Sequence, residues 1–157
     1  MDIDKHVILI NGSNTSNLRI DIEPIKNVLS IKHIETVALL TNSTTDLKTV
    51  YIFLNDYNLK TLYDTTNYKT GIPVFGNLTF KPSSTNTKYQ TDSINSGIIS
   101  DFKADNQNYV FNPMLGELHR LNISFKEYNN GELVPIQLQD FSMELCIYTS
   151  RTKLTML

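Results

Sequence analysis

The stretch from Leu118 to Thr149, LHRLNISFKEYNNGELVPIQLQDFSMELCIYT, decides the fold. Apolar and polar residues alternate in both of its arms; in the run 141–147, Phe, Met, Leu and Ile occupy every second position. A period of two places the apolar side chains on one face of a β-strand. Between the arms, the residues 129–132, Asn-Asn-Gly-Glu, tolerate the positive φ of a tight reversal. The stretch therefore predicts long antiparallel strands, with Pro135 marking the segment 133–138 as an edge strand or a bulge.

The composition bounds the class of protein. The chain has 157 residues, of which 40% are hydrophobic and 19% charged. This length predicts one domain, which buries about 70% of its unfolded surface without cross-links. The net charge is −2, from 14 basic and 16 acidic residues. Because no positive field concentrates polyphosphate, we expect no specific binding of nucleic acid.

The cysteine content and the N-terminus indicate where the protein is made. Cys146 is the single cysteine of the chain, so it forms no internal disulfide. Its strand offers no histidine or basic neighbour to activate it, and this favours a structural thiol over a reactive one. The first 13 residues, MDIDKHVILINGS, hold only a short apolar run between acidic flanks. We therefore expect synthesis in the cytoplasm, with neither a signal peptide nor membrane insertion.

The N-terminal third predicts short strands separated by turns. The apolar run 7–10 is followed by the turn cluster 11–14, Asn-Gly-Ser-Asn, and the alternating run 18–22 is followed by Pro24. The segment 25–40 fits either a helix or a strand. Its many β-branched residues and the lack of an N-cap favour a strand, with a β-bulge near Lys32 and His33, where the alternation changes phase.

One short run is apolar on both faces. It consists of Val50, Tyr51, Ile52, Phe53 and Leu54. Such a run is either a central strand covered on both sides or a strand that packs against a neighbouring subunit. These five residues are therefore the candidate subunit interface.

The remaining segments complete an all-β pattern. The residues 55–71 are loop-like, 72–80 form a strand pattern, and 112–116 contain an Asn-Pro turn. The polar stretch 81–108 is longer than the roughly 12–15 residues of an ordinary connection, which predicts a long surface loop. Eight or nine strands result, with no repeat period. Eight antiparallel strands with long connections suit a single jelly roll, which is an eight-stranded antiparallel β-sandwich, or another sandwich.

No residue pattern indicates catalysis. The histidines His6, His33 and His119 lie far apart and have no partner at metal-ligand spacing. The chain contains no phosphate loop, no nucleophile elbow and no zinc-binding helix motif. Its carboxylates are scattered along the sequence. We therefore expect no enzyme activity, no metal and no cofactor.

The C-terminal segment resembles a family of known proteins. Its Asn-Pro turn, its Leu-x-x-Leu-x-Ile-x-Phe strand, its Asn/Gly turn and its Asp-Phe-Ser-x-x-Leu-x-Ile strand are similar to those of single jelly-roll penton and minor capsid proteins from large double-stranded DNA viruses and virophages. Upstream, the segments IKNVLSIKHIETVALL, TVYIFLNDYN and GIPVFGNLTF are similar to earlier strands of that family. The matching C-terminal residues are Asn112, Pro113, Leu118, Leu121, Ile123, Phe125, Gly131, Asp140, Phe141, Ser142, Leu145 and Ile147.

This resemblance implies a structural role in a virion. A member of the family assembles with copies of itself, here expected as a pentamer, and with other capsid proteins, including the major capsid protein. The resemblance implies no active site. Two rival functions stay open on the same fold: a carbohydrate- or receptor-binding module, which the tyrosines beside the loops favour, and a small β-sandwich enzyme.

Overall fold

A computed structural model of the chain describes residues 2–40, 48–65, 68–82, 89–91 and 108–151. In this part of the chain all the regular structure is β-strand. The strands are β1 (Ile3–Thr15), β2 (Asn17–Leu40), β3 (Lys48–Leu54), β4 (Lys60–Asp64), β5 (Tyr68–Val74), β6 (Gly76–Pro82), β7 (Tyr89–Thr91), β8 (Asn108–Asn129), β9 (Glu132–Pro135) and β10 (Leu138–Ser150).

Eight of these strands form one antiparallel sheet, in the order β1-β10-β2-β7-β6-β3-β8-β9. A further pairing between β2 and β8 makes the sheet curl into a half-barrel around its apolar face. The strands β4 and β5 form a separate two-stranded sheet. The prediction of an all-β fold with an eight-stranded antiparallel sheet of the sandwich or jelly-roll type is confirmed.

The C-terminal strands follow the alternation of the sequence. Leu121, Ile123 and Phe125 of β8 are fully buried, and the intervening residues lie closer to solvent. The chain reverses between β8 and β9 at Asn130 and Gly131, whose φ angles are 54° and 82°. Among the described residues, the strand β9, which ends in Pro135, pairs with β8 alone and forms one edge of the sheet, as the proline predicted.

Three of the predicted strand ends are wrong, because the strands continue through them. The cluster 11–14 lies inside β1, where residues 11–13 pair with 140–142 of β10. Pro24 lies inside β2, at a shift in the register between β2 and β8. The residues 112–116 lie inside β8 and also coincide with a register shift. Turn-forming residues are therefore accommodated here in long strands with bulges rather than in chain reversals.

The bulge in β2 is confirmed. The pairing of β2 with β10 steps from Glu35 opposite Glu144 to His33 opposite Leu145, which leaves Ile34 as the extra residue. The predicted loop 81–108 is described only in part: Lys81 and Pro82 end β6, and Tyr89–Thr91 form β7, which pairs with β6 and β2. Residues 83–88 and 92–107 lie outside the described residues.

One main core lies inside the half-barrel, and a smaller cluster covers the other face of β3. The main core takes its buried side chains mostly from β2, β3, β6, β8 and β10. The smaller cluster joins Tyr51 of β3 to Ile72 and Val74 of β5. Because the two-stranded sheet covers β3 from outside, that strand is apolar on both faces.

A glycine on β1 makes room for an aromatic ring of the core. Gly12 lies opposite Phe141 of β10, and a Cβ atom added to Gly12 would collide with the Phe141 ring. That ring is 4% exposed and packs edge-on against Phe125 at 4.9 Å between centroids, so it has little freedom to move.

The substitution Gly12→Ala is expected to lower the free energy of unfolding by about 1–3 kcal/mol, because it overpacks a buried contact. Urea unfolding followed by circular dichroism measures the effect. Gly116→Ala is the matched control, since a Cβ atom at Gly116 meets no atom within 4 Å. Equal midpoints for the two variants would contradict the role given to Gly12.

Candidate functional site

The turn after β3 is fixed to β8 by its own backbone and by one asparagine. The backbone N–H of Asn55 donates to the carbonyl of Asn122 at 2.9 Å, and the N–H of Asn122 donates to the Asn55 side-chain oxygen at 2.6 Å. The Asn55 side-chain amide donates to the carbonyl of Arg120 at 3.0 Å. Asn55 has a φ of 45°, which asparagine tolerates better than most residues. The turn is therefore held rigidly beside β8.

A shallow polar cleft lies between this turn and β8. Its volume is about 290 Å³. The lining residues are Asn55, Asp56, Tyr57, Glu117, Leu118, His119, Arg120 and Asn122. This size is at the lower end of the range for small-molecule sites, and the wall is rich in hydrogen-bonding groups.

The charged and ionisable groups of the cleft lie near the surface and are arranged in pairs. Arg120 Nε donates to Asp21 Oδ1 at 3.0 Å, and His119 Nδ1 lies 3.7 Å from Glu117 Oε2. The Arg120 guanidinium holds the pKa of the Asp21 carboxyl below its usual value, so this carboxylate stays charged at neutral pH. Exposed polar groups of this kind suit hydrogen bonding to a polar ligand better than proton transfer.

An aromatic cluster supports one side of the cleft. The ring of Tyr57 lies 4.9 Å from both Tyr109 and Phe111, measured between centroids, and the latter two rings are 5.0 Å apart. Aromatic side chains packed in this way are stiff, and they present both an apolar ring and a polar hydroxyl group. The cleft thus combines an aromatic flank with polar planar side chains.

The candidate interface residues 50–54 lie mostly inside the chain. Val50, Ile52 and Leu54 belong to the main core, with at most 1% of each residue exposed. Tyr51, 1% exposed, points the other way and packs edge-on against Tyr128 at 5.6 Å. Phe53 is half-buried, with Lys126 Nζ 5.2 Å from its ring centroid. Packing of β3 against other strands of the same chain accounts for its two-sided apolar pattern. A subunit interface through this strand stays a prediction.

The structure does not bring the three histidines together. His6 contacts Thr149, with 3.1 Å between His6 Nε2 and Thr149 Oγ1, whereas His119 lies at the cleft. His33 is fully buried, with Nε2 2.6 Å from Oγ1 of Thr36. Among the described residues, no group of three or more His, Cys, Asp or Glu side chains is placed to hold a metal ion. The described residues also contain no helix that is long and apolar enough to cross a membrane.

Comparisons with known proteins identify no family for this chain. No protein family matches the chain, and no curated protein matches it. One similar solved structure is that of tomato aspermy virus, determined by X-ray crystallography. It is 14% identical, with 98% of this chain and 81% of that chain covered, and the TM-score is 0.29. A likeness at this TM-score is too weak to carry an argument about function.

Proposed function

We propose that this chain is a structural virion protein, a penton or minor capsid protein of a large double-stranded DNA virus or virophage. In this proposal it assembles with copies of itself, in a pentameric ring, and with other capsid proteins, including the major capsid protein. It catalyses no reaction, needs no cofactor, binds no specific nucleic acid and does not insert into a membrane. It is synthesised in the host cytoplasm and resides in the capsid.

The observation that carries this proposal is the curled eight-stranded sheet itself. Its interior is filled by packed apolar side chains, and the buried polar residues His33 and Thr36 contact each other. A domain built in this way is a rigid block whose functional surfaces are its outer faces and edges. That is what a shell subunit requires, because copies must pack through fixed surfaces.

The sequence resemblance falls on the strands that define this sheet. Leu121, Ile123 and Phe125 of β8 are core residues, as are Phe141 and Leu145 of β10. The resemblance therefore supports a jelly-roll block in the residues that build its core. The net charge of −2 adds support, since copies of nearly neutral subunits pack without strong repulsion.

Electron microscopy of the purified protein tests the proposal. Negatively stained protein is expected to show rings of five subunits, and mixing with the major capsid protein of the same virus is expected to give closed shells with the chain incorporated. Unassembled single particles in both preparations would contradict the proposal. A bystander protein of similar mass, added to the same mixture, controls for trapping inside shells.

The polar cleft favours a second candidate function, binding of a carbohydrate or a receptor glycan. Asp56 and Tyr57 lie at its rim, beside the rigid turn at Asn55. A glycan array with the purified chain tests this function. Binding that Asp56→Asn abolishes, and that the distant exposed control Glu132→Gln retains, would support it. An array without binding would exclude the glycans tested.

A further inference from the structure

The strand β1 is an unprotected edge of the sheet. It has 13 residues and no proline, and it pairs with β10 on one side. Among the residues that the structure describes, no strand pairs with its other side. The opposite end of the sheet is β9, which has four residues and ends in Pro135. Proteins usually shorten or interrupt edge strands to prevent association, so only the β9 end is protected in this way.

The outer face of β1 carries three exposed apolar side chains as well as Lys5. Ile3, Val7 and Leu9 are 54%, 53% and 62% exposed, while Ile10 of the same strand is buried in the main core. An edge strand with exposed apolar side chains at alternate positions is a template for a further strand.

An acidic pair lies one strand in from this edge. Glu144 of β10 stands directly opposite Leu9 of β1 on one side and Glu35 of β2 on the other. Like charges directly opposite each other destabilise a sheet. Within the described part of the chain, no basic side chain forms an ion pair with either glutamate. A partner strand beside β1 is therefore favoured if it places a positive charge next to Leu9, close to Glu144 and Glu35.

We propose that the edge of β1 binds β1 of a second copy of this chain, antiparallel and centred on Val7. In this register Val7 lies opposite Val7 of the second copy, and Lys5 lies opposite Leu9 of the second copy. Both residues of each pair point to the outer face, because directly opposite residues share a face. The contact is isologous, so each copy gives and receives the same groups.

This register supplies the missing positive charge. Neighbouring strands lie about 4.8 Å apart, so Lys5 of one copy and Glu144 of the other are two strands apart, roughly 10 Å at the backbone. The lysine stem covers Leu9, and its ammonium group reaches toward the glutamate pair. Lys5 is exposed in the single chain and is available for this contact. One twofold arrangement thus covers the exposed apolar side chains of both β1 strands and forms both contacts between Lys5 and Glu144.

Disulfide trapping tests the register. Directly opposite residues of antiparallel strands have Cα atoms about 4.5–5.5 Å apart, within disulfide range, so Val7→Cys is expected to give a covalent dimer under mild oxidation. Leu9→Cys is the matched control, since it is similarly exposed, but its two copies stand roughly 13 Å apart in this register. Both variants are made in a Cys146→Ala background, because Cys146 of β10 lies directly opposite Val7 and would otherwise form an intrachain disulfide with the new cysteine. Non-reducing electrophoresis reads out the result.

Charge reversal tests whether Lys5 of one copy and Glu144 of the other attract each other in the dimer. Lys5→Glu is expected to weaken the dimer about tenfold or more in sedimentation equilibrium, and the double variant Lys5→Glu with Glu144→Lys is expected to restore it. Equal cross-linking at positions 7 and 9, no cross-linking at position 7, or no rescue by the double variant would overturn the proposal. These outcomes are distinct from failure of the capsid role, because disulfide trapping at position 7 reads the β1 contact directly, whereas microscopy reads the ring of five subunits.

Discussion

Phe125→Ala is expected to lower the free energy of unfolding by about 3–5 kcal/mol, which is the usual cost of deleting a buried phenylalanine side chain. Phe125 is fully buried in β8, opposite Ile52 of β3, and its ring packs edge-on against Phe141 of β10. Its backbone also bonds to two segments: its N–H donates to Ser16 O at 2.9 Å, and its carbonyl accepts from Ile136 N–H at 3.0 Å. The residue therefore joins the two sides of the half-barrel.

Urea unfolding at pH 7, followed by far-ultraviolet circular dichroism, measures this loss. Leu59→Ala is the control, because that leucine is 65% exposed and its truncation is expected to change stability by less than about 0.5 kcal/mol. A Phe125→Ala variant as stable as the Leu59→Ala variant would show that the centre of the core lies elsewhere.

Lowering the pH from 7 to 5 is expected to reduce the free energy of unfolding by about 2 kcal/mol, through His33. Burial, with a smaller effect of the Lys60 charge, lowers the pKa of His33 from 6.5 to about 3. Its surroundings include Thr36, Gly76 and the Phe75 ring, whose centroid is 5.8 Å away.

The sign follows from proton binding. Below pH 6.5 the unfolded chain binds a proton at His33, whereas the folded chain does not until about pH 3. The stability contribution is therefore fully present above pH 6.5 and is lost as the pH falls toward 3, at about 1.4 kcal/mol per unit. The carboxyl pKa values of Asp4 and Asp21 are lowered from 3.8, so these groups affect the stability mainly below pH 5.

Urea midpoints measured between pH 7 and pH 5 test this assignment. His33→Gln, which keeps a polar group near Thr36, is expected to remove the pH dependence. His119→Gln, at the exposed cleft, is expected to keep it. A His33→Gln protein that still loses about 2 kcal/mol over the same range would contradict the role of His33.

Features that depend on the alternation of apolar and polar residues could be predicted from the sequence, whereas features that depend on contacts between distant residues were missed. The alternating part of β8, around Leu121, Ile123 and Phe125, and the strand β10 follow from a period of two, because the inner faces of these segments are apolar. The residues 11–14 look like a turn, but Gly12 is needed where the Phe141 ring crosses β1. The two-sided pattern of residues 50–54 left two alternatives, and only the position of β5 shows that Tyr51 is covered within the chain.

The polar cleft could not be predicted from local sequence. Asn55 and Asn122, which hold it together, are 67 residues apart, and the segment after β3 has the composition of an ordinary loop. His33 lies on a strand whose neighbours give no sign that the imidazole is fully buried. The unprotected edge of β1 is likewise a property of strand order, which no periodicity specifies.

The absolute mass of the purified chain, measured by light scattering over a wide range of concentrations, tests the central claim most directly. The capsid proposal predicts a species of five times the 17.9 kDa chain mass, or assemblies built from it. A dimer as the largest species would support the β1 contact and contradict the ring. A mass of 17.9 kDa at every concentration would contradict self-assembly altogether.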